Sequence, residues 1–92
     1  MKQIDTIKLD GGAYIKQFPG FLTYHTGRAV KTYQIGYTIG VDGYILDGIA
    51  TEVGATVKEP KALSEQESAP IILKLRDAVR AHGFAVTANV AE

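Results

Sequence analysis

The two histidines are the side chains in this chain best suited to acid–base chemistry or metal binding. A protein metal site usually needs three or four ligands at close or helical spacing. Neither His25 nor His82 has a second histidine or a carboxylate at such a spacing, and the chain contains no cysteine. We therefore expect neither a metal site nor a cofactor. His82 falls near the end of a predicted helix, where the helix dipole favours a cationic imidazole, so we expect a structural role for it.

The carboxylates and hydroxyls also lack the neighbours that catalysis needs. Asp42 is expected in a turn, and Asp47 in a strand opposite Thr38, without the second acid that paired-carboxylate hydrolysis requires. Ser64 and Ser68 have no adjacent base that would activate a nucleophile. We predict that the chain has no catalytic residues and is not an enzyme.

Residues 11–41 include no acidic side chain, although the whole chain carries ten basic and ten acidic residues. Sorted charge of this kind lets a neutral protein offer a surface to an anionic partner. Within this window, the segment 24–31 is the part that core packing explains least. It is a predicted turn with polar groups at its tip, and such loops often carry function. From this window we predict the partner-binding residues Lys16, Tyr24, His25, Arg28 and Lys31.

Length and composition set further limits on the class of protein. A chain of 92 residues suits one domain, so we predict a single domain spanning 1–92. The sequence shows no signal peptide, no long apolar run and no cysteine, and we expect a cytoplasmic protein without a membrane partner. A net charge of zero disfavours strong non-specific binding to nucleic acid.

The strongest local pattern is a β-hairpin around Asp42-Gly43, a pair typical of a type I′ turn. With these two residues as the loop, a strand over roughly 30–41 pairs with one over 44–53. The expected cross-strand pairs are Val41–Tyr44, Ile39–Leu46, Tyr37–Gly48 and Ile35–Ala50 on the apolar face, and Gln34–Thr51 among those on the opposite face.

Three shorter strands precede the hairpin. Residues 4–9 and 13–18 flank Asp10-Gly11-Gly12, which allows a loop of two or of three residues and leaves this register open. Pro19-Gly20 suits the centre of a type II turn, which leads into a strand over 21–25. A turn at Thr26-Gly27 then joins this strand to the hairpin, so the pattern predicts a five-strand antiparallel meander.

Residues 64–82 follow a helical period. Ser64 and Glu67 have the spacing of a capping box, but Pro70 would then fall inside the helix. A start at Ser68 puts Pro70 in the first turn, where its missing N–H costs little, so we prefer Ser68 as the N-cap. Residues 58–63 are then expected to be a linker. The predicted apolar stripe consists of Ile71, Ile72, Leu75, Ala78, Val79 and His82.

Residues 84–90 alternate again and predict a short final strand, which joins an edge of the meander in the same molecule or in a second copy. The predicted fold class is α+β: an antiparallel meander of about five strands, one amphipathic α-helix packed on one face, and a short C-terminal strand. The helix is expected to leave the other sheet face open. It would cover the face that carries Tyr33, Ile35, Tyr37, Ile39 and Leu46.

A well-patterned fold without a catalytic constellation favours a binding role. We expect a small non-enzymatic protein, an inhibitor, adaptor or assembly subunit of the kind that phages and mobile elements encode, which contacts an acidic surface of another protein. The alternative is a nucleic-acid-binding module that uses the open sheet face, although no stretch matches a nucleic-acid-binding signature. A homodimer through the C-terminal strand is a further expectation.

Overall fold

The computed structural model describes residues 3–27, 31–54 and 58–90. Within these ranges the chain forms seven strands and one α-helix, which packs against one face of a curled mixed sheet. The α+β class and the short C-terminal strand are as predicted, with one additional short strand. The elements are β1 (Thr6–Lys8), β2 (Tyr14–Phe18), β3 (Phe21–His25), β4 (Thr32–Gly40), β5 (Gly43–Val53), β6 (Lys61–Ala62), α1 (Glu65–Ala81) and β7 (Val86–Ala88).

Two glycine-containing turns set the register of the first three strands. A single 3-10 turn at Asp10–Gly12 joins β1 to β2, and the Leu9 N–H closes it on the Ala13 carbonyl at 2.9 Å. The three-residue loop is therefore the correct alternative. Between β2 and β3, Pro19 and Gly20 form the predicted tight turn, with Gly20 at a φ of 86° that favours glycine.

The long hairpin of β4 and β5 has the predicted register at its base but not at its tip. A β-bulge opposite Gly36 inserts two extra residues into β5, and every pair beyond it shifts. The pairs at the base are Ile35–Ala50 and Gln34–Thr51, as predicted, and those beyond the bulge are Tyr37–Leu46, Thr38–Ile45, Ile39–Tyr44 and Gly40–Gly43.

The predicted loop at Asp42-Gly43 is wrong by one position, since Val41 and Asp42 form the loop and Gly43 is the first residue of β5. Gly43 has a φ of 135°, and a Cβ there would collide with the Ala85 carbonyl. Close approach of the chain before β7 therefore explains this glycine. Beyond the bulge Ile39 is 54% exposed and Val41 is 103% exposed. The expectation that the helix covers Ile39 is therefore wrong.

Two short strands share the far side of β5. β6 pairs with the C-terminal half of β5 in antiparallel orientation, and β7 pairs with the N-terminal half in parallel orientation. Residues 58–63, expected to be a linker, thus contain a strand. Between the two strands, the Ala50 carbonyl accepts the Leu63 N–H and the Ala50 N–H donates to the Ser68 hydroxyl, both at 2.9 Å. The Ser68 hydroxyl therefore completes the edge of β5 where neither strand reaches.

The helix α1 begins one turn earlier than predicted. Ser64 is the N-cap: its hydroxyl accepts the Glu67 N–H at 3.0 Å, and the Glu67 carboxylate accepts the Ser64 N–H at 3.4 Å. Pro70 consequently lies inside the helix, and Ser68, preferred above as the cap, is fully buried. The capping box and the Ser68–Ala50 hydrogen bond together favour this start despite the cost of an internal proline.

The core lies between α1 and the inner face of the sheet. Three residues of the predicted stripe, Ile72, Leu75 and Val79, are fully buried, whereas His82 is exposed at the helix end with Nδ1 3.0 Å from the Ala78 carbonyl oxygen. The sheet contributes the fully buried side chains of Ile15, Leu22, Ile35 and Leu46. No helix in the described ranges is long and apolar enough to cross a membrane.

The Tyr44 hydroxyl links the two sides of the curled sheet across this core. It accepts the Ile4 N–H at 3.1 Å and donates to Gln17 Oε1 at 2.6 Å. Gln17 lies on β2 and Tyr44 on β5, so this contact joins strands that two others separate.

Candidate binding surface

The sheet face opposite α1 carries polar and aromatic side chains. Because side chains alternate along a strand, these residues lie between the buried positions Ile7, Ile15, Leu22 and Ile35, and the strand register aligns them in rows. We call this surface the outer face. Its members are Lys8, Tyr14, Lys16, Phe18, Phe21, Thr23, His25, Thr32, Gln34, Asp47, Ile49 and Thr51.

Two stacked pairs of rings lie on adjacent strands of the outer face. The ring centroids of Tyr14 and His25 are 4.0 Å apart at an interplanar angle of 16°, and those of Phe18 and Phe21 are 5.2 Å apart at 12°. The register explains both stacks, because each pair lies directly across β2 and β3. Tyr14 is exposed and the phenylalanines are half-buried, so the rings retain apolar surface for a partner.

Lys16 lies between the two ring pairs on β2. Its Nζ is 5.3 Å from the centroid of the Phe18 ring, a cation–π geometry. Within the described ranges Lys16 forms no ion pair, in contrast to Arg76, which pairs with Asp77 on α1. The positive charge of Lys16 is therefore available to a partner.

His25 is half-buried on the outer face. Its Nδ1 is 3.0 Å from the Thr32 hydroxyl, and this contact together with the Tyr14 stack fixes the ring. Burial lowers the pKa of His25 from its ordinary value, so the neutral ring is favoured at neutral pH. His25 accordingly adds ring surface to the outer face rather than charge.

The β-bulge creates a depression in the part of the outer face that β3, β4 and β5 form, with a volume of about 560 Å³. The Asp47 carboxylate lies over Gly36 in this depression, since a Cβ at Gly36 would collide with it. Asp47 is exposed and has no ion pair within the described ranges. The residues that line the depression are Phe21, Gln34, Gly36, Asp47, Gly48, Ile49 and Thr51.

The four predicted partner-binding residues that the structure describes do not form one surface. Lys16 and His25 lie on the outer face, on neighbouring strands. Tyr24 belongs to the core and is 4% exposed, because its position on β3 points inward; its expected exposure at a turn is wrong. Lys31 is exposed beside the turn that its carbonyl closes with the Thr26 N–H at 3.0 Å. Arg28 lies outside the described residues, and its role stays a prediction.

Sequence reasoning did not select Tyr14, Phe18, Phe21 or Asp47 for this surface. A signal for the first three was present: Tyr14 and Phe18 alternate with Lys16 along one strand, and the Pro19-Gly20 turn sets Phe21 opposite Phe18. For Asp47 there was none, because its position over Gly36 depends on the bulge.

The outer face also lacks the constituents of a metal centre. No three residues among His, Cys, Asp and Glu within the described ranges lie together as ligands would.

The C-terminal strand pairs within its own chain. β7 lies along β5. The Arg80 Nε donates to the Val86 carbonyl at 2.9 Å, so this backbone acceptor of β7 already has a partner within the chain. This pairing accounts for the apolar alternation of 84–90. This pairing does not test a homodimer through the C-terminal strand, which stays a prediction.

No protein-family model matches the chain, and comparison with curated proteins and with solved structures finds no significant match.

Proposed function

We propose that this chain is a non-enzymatic binding protein that contacts another protein through its outer face. The observation that carries the proposal is the pair of ring stacks on either side of Lys16, on the sheet face opposite α1. Aromatic residues are enriched at protein–protein interfaces because they contribute large apolar area from rigid side chains. The outer face thus offers a contact surface that the core does not require.

The chemistry of the outer face favours a partner that presents an apolar patch with a carboxylate opposite Lys16. A charge in such a position guides association and fixes the orientation of the partner more than it adds affinity. The biological role would be that of an inhibitor, an adaptor or an assembly subunit, as a phage or mobile element would encode. A chain free of cysteine suits the reducing cytoplasm, which we propose as its compartment.

Site-specific photocrosslinking tests this function directly. A photoreactive amino acid in place of Tyr14 reports contacts of the outer face, and one in place of Gln66, exposed on α1, is the matched control. We expect a discrete crosslinked protein from position 14 and none from position 66, in cells of the native source. Equal labelling at both positions, or none at either, would contradict the proposed function.

Charge reversal tests the polar part of the proposal. Lys16→Glu should weaken capture of the partner, whereas Lys74→Glu, exposed on α1, should not. The double variant Arg28→Glu/Lys31→Glu examines the turn separately, and a loss of capture there would extend the contact beyond the outer face. Melting curves of all variants should overlay that of the wild type, because surface charges contribute little to stability.

A second candidate is a nucleic-acid-binding module that uses the same outer face. The observation in its favour is the placement of Lys16 between two ring pairs, since bases stack on aromatic rings and lysine neutralises phosphate. Fluorescence anisotropy with a labelled single strand tests it, and binding should then fall steeply as salt is raised. A flat salt response, or no binding, would exclude this candidate.

A further inference from the structure

The outer face carries opposite charges on either side of β3. Lys16 lies on β2, and the Asp47 carboxylate of β5 reaches over Gly36 on β4. Neither charge has an ion-pair partner within the described ranges. The Lys16 side chain leans towards Phe18, which lies level with Gly36 in the strand register. A two-fold axis that lies in this face and runs along β3 would therefore bring the Lys16 ammonium group of each copy close to Asp47 of the other. The charge pattern is therefore self-complementary, as an interface between identical chains requires.

The shape of the outer face is also self-complementary about this two-fold axis. Phe18, the neighbour of Lys16 on the same face of β2, is half-buried and stacks on Phe21. The depression around Gly36 lies on the opposite side of β3, and Ile49 gives it an apolar wall. Phe18 lies level with Gly36 in the strand register, so the axis that joins the opposite charges would also set Phe18 of each copy against the Ile49 wall of the other, beside its Asp47 carboxylate.

We propose that the partner of the outer face is a second copy of this chain, packed face to face, with Lys16 of each copy paired to Asp47 of the other. This inference rests on the proposed function, since it assigns an occupant to the same surface. The Asp47 carboxylate supplies the anionic group that Lys16 favours, and the two α1 helices lie on the outside of the assembly. Sheets commonly pack in this manner, through their side chains and about 10 Å apart.

The size of the outer face sets the strength of the dimer. Five strands spaced by about 4.8 Å, with about five residues each at a rise of about 3.4 Å, would project an area of roughly 400 Å² if the sheet were flat, and its curl reduces the area in contact. Stable interfaces bury about 800 Å² on each partner. The dimer is therefore weak and reversible, and its study needs protein concentrations on the order of 100 µM.

A charge-swap experiment in the analytical ultracentrifuge tests the pairing. The wild type should shift from monomer towards dimer as its concentration rises to about 100 µM. Lys16→Glu and Asp47→Lys should each weaken the dimer about tenfold or more, because both symmetric pairs become repulsive. The matched control, Lys74→Glu, should leave the equilibrium unchanged, because Lys74 is exposed on α1, away from the outer face.

The two single variants have complementary charges and should associate with each other. In a mixed dimer the carboxylate introduced by Lys16→Glu in one chain meets the ammonium group introduced by Asp47→Lys in the other. The unaltered Asp47 of the first chain meets the unaltered Lys16 of the second, so both pairs are again attractive. An equimolar mixture should therefore regain wild-type association, as should the double variant Lys16→Glu/Asp47→Lys. These tests need only folded surface variants, and circular dichroism verifies that each one is folded.

Three results would overturn the inference. They are a wild type that stays monomeric at the highest concentration, a dimer that neither single variant weakens, and a mixture of the two variants that fails to associate. The crosslink from position 14 separates this inference from the proposed function. A crosslink to a different protein would sustain the function and exclude the second copy as the occupant, whereas no crosslink in cells, nor with the purified chain at about 100 µM, would contradict both.

Discussion

The Ser68 hydroxyl accepts the Ala50 N–H at 2.9 Å and thereby ties the first turns of α1 to the middle of β5. Both residues are fully buried. The contact fills the gap between β6 and β7, where the Ala50 N–H has no strand partner. Ser68, which the sequence pattern favours as a helix cap, thus provides a hydrogen-bond acceptor for the sheet, and the helix begins one turn before it.

Replacing Ser68 with alanine should leave the Ala50 N–H buried and unsatisfied. We expect Ser68→Ala to lower the free energy of unfolding by about 1–3 kcal/mol. Urea denaturation followed by circular dichroism measures the change. Gln66→Ala, an exposed substitution on the same helix, should stay within about 0.5 kcal/mol of the wild type. Equal effects of the two substitutions would show that the Ser68–Ala50 hydrogen bond contributes nothing.

Replacing Tyr44 with phenylalanine should break the link between β5 and β2. The lost hydroxyl leaves the Ile4 N–H and the Gln17 side-chain oxygen without their partner, so Tyr44→Phe should lower the free energy of unfolding by about 1–3 kcal/mol. Tyr14→Phe is the matched control because the Tyr14 ring is exposed on the outer face, and it should be nearly neutral. Equal urea midpoints for the two variants would contradict the role of the Tyr44 hydroxyl.

Features whose cause is local could be predicted from the sequence. Pro19 and Gly20 form the expected turn because their preferred φ angles are those the turn needs. The alternation of apolar residues likewise identified β2 to β5, the inner face and most of the helix stripe. Each of these assignments depends on neighbours within a few positions of the chain.

Features that arise from distant contacts could not be read in this way. The Asp42-Gly43 pair indicated a loop, but Gly43 is there because Ala85 approaches it from the far end of the chain. Gly36 and Gly48 are compatible with a bulge, but they do not specify its size or the register beyond it, so the positions of Ile39 and Asp47 were missed. The residues of the outer face show the same difference between local and distant causes. Alternation along β2 identifies Tyr14 and Phe18, whereas the depression beside Asp47 exists only once the β4–β5 hairpin has folded.

Pro70 lies inside α1 and should weaken it. A proline there cannot donate to the carbonyl of residue 66, and its ring crowds that carbonyl. Pro70→Ala should therefore raise the free energy of unfolding by about 1–2 kcal/mol, below the full cost of about 3 kcal/mol because the unfolded chain gains freedom. Lys74→Ala, one turn later and exposed, is the control and should change little. A destabilised Pro70→Ala variant would mean that the proline is needed for packing.

His25 should make the stability of the fold depend on pH. Its pKa in the folded chain lies below the ordinary value of 6.5, because burial disfavours the charged ring. The unfolded chain therefore binds a proton more readily, so the contribution of His25 is complete above about pH 6.5 and is lost as the pH falls towards the folded pKa. In His25→Phe, which keeps a ring against Tyr14, the free energy of unfolding should decline less than in the wild type between about pH 7 and pH 5. An NMR titration of the His25 ring protons gives the decisive measurement, and a midpoint at or above the ordinary value of 6.5 would refute the assignment.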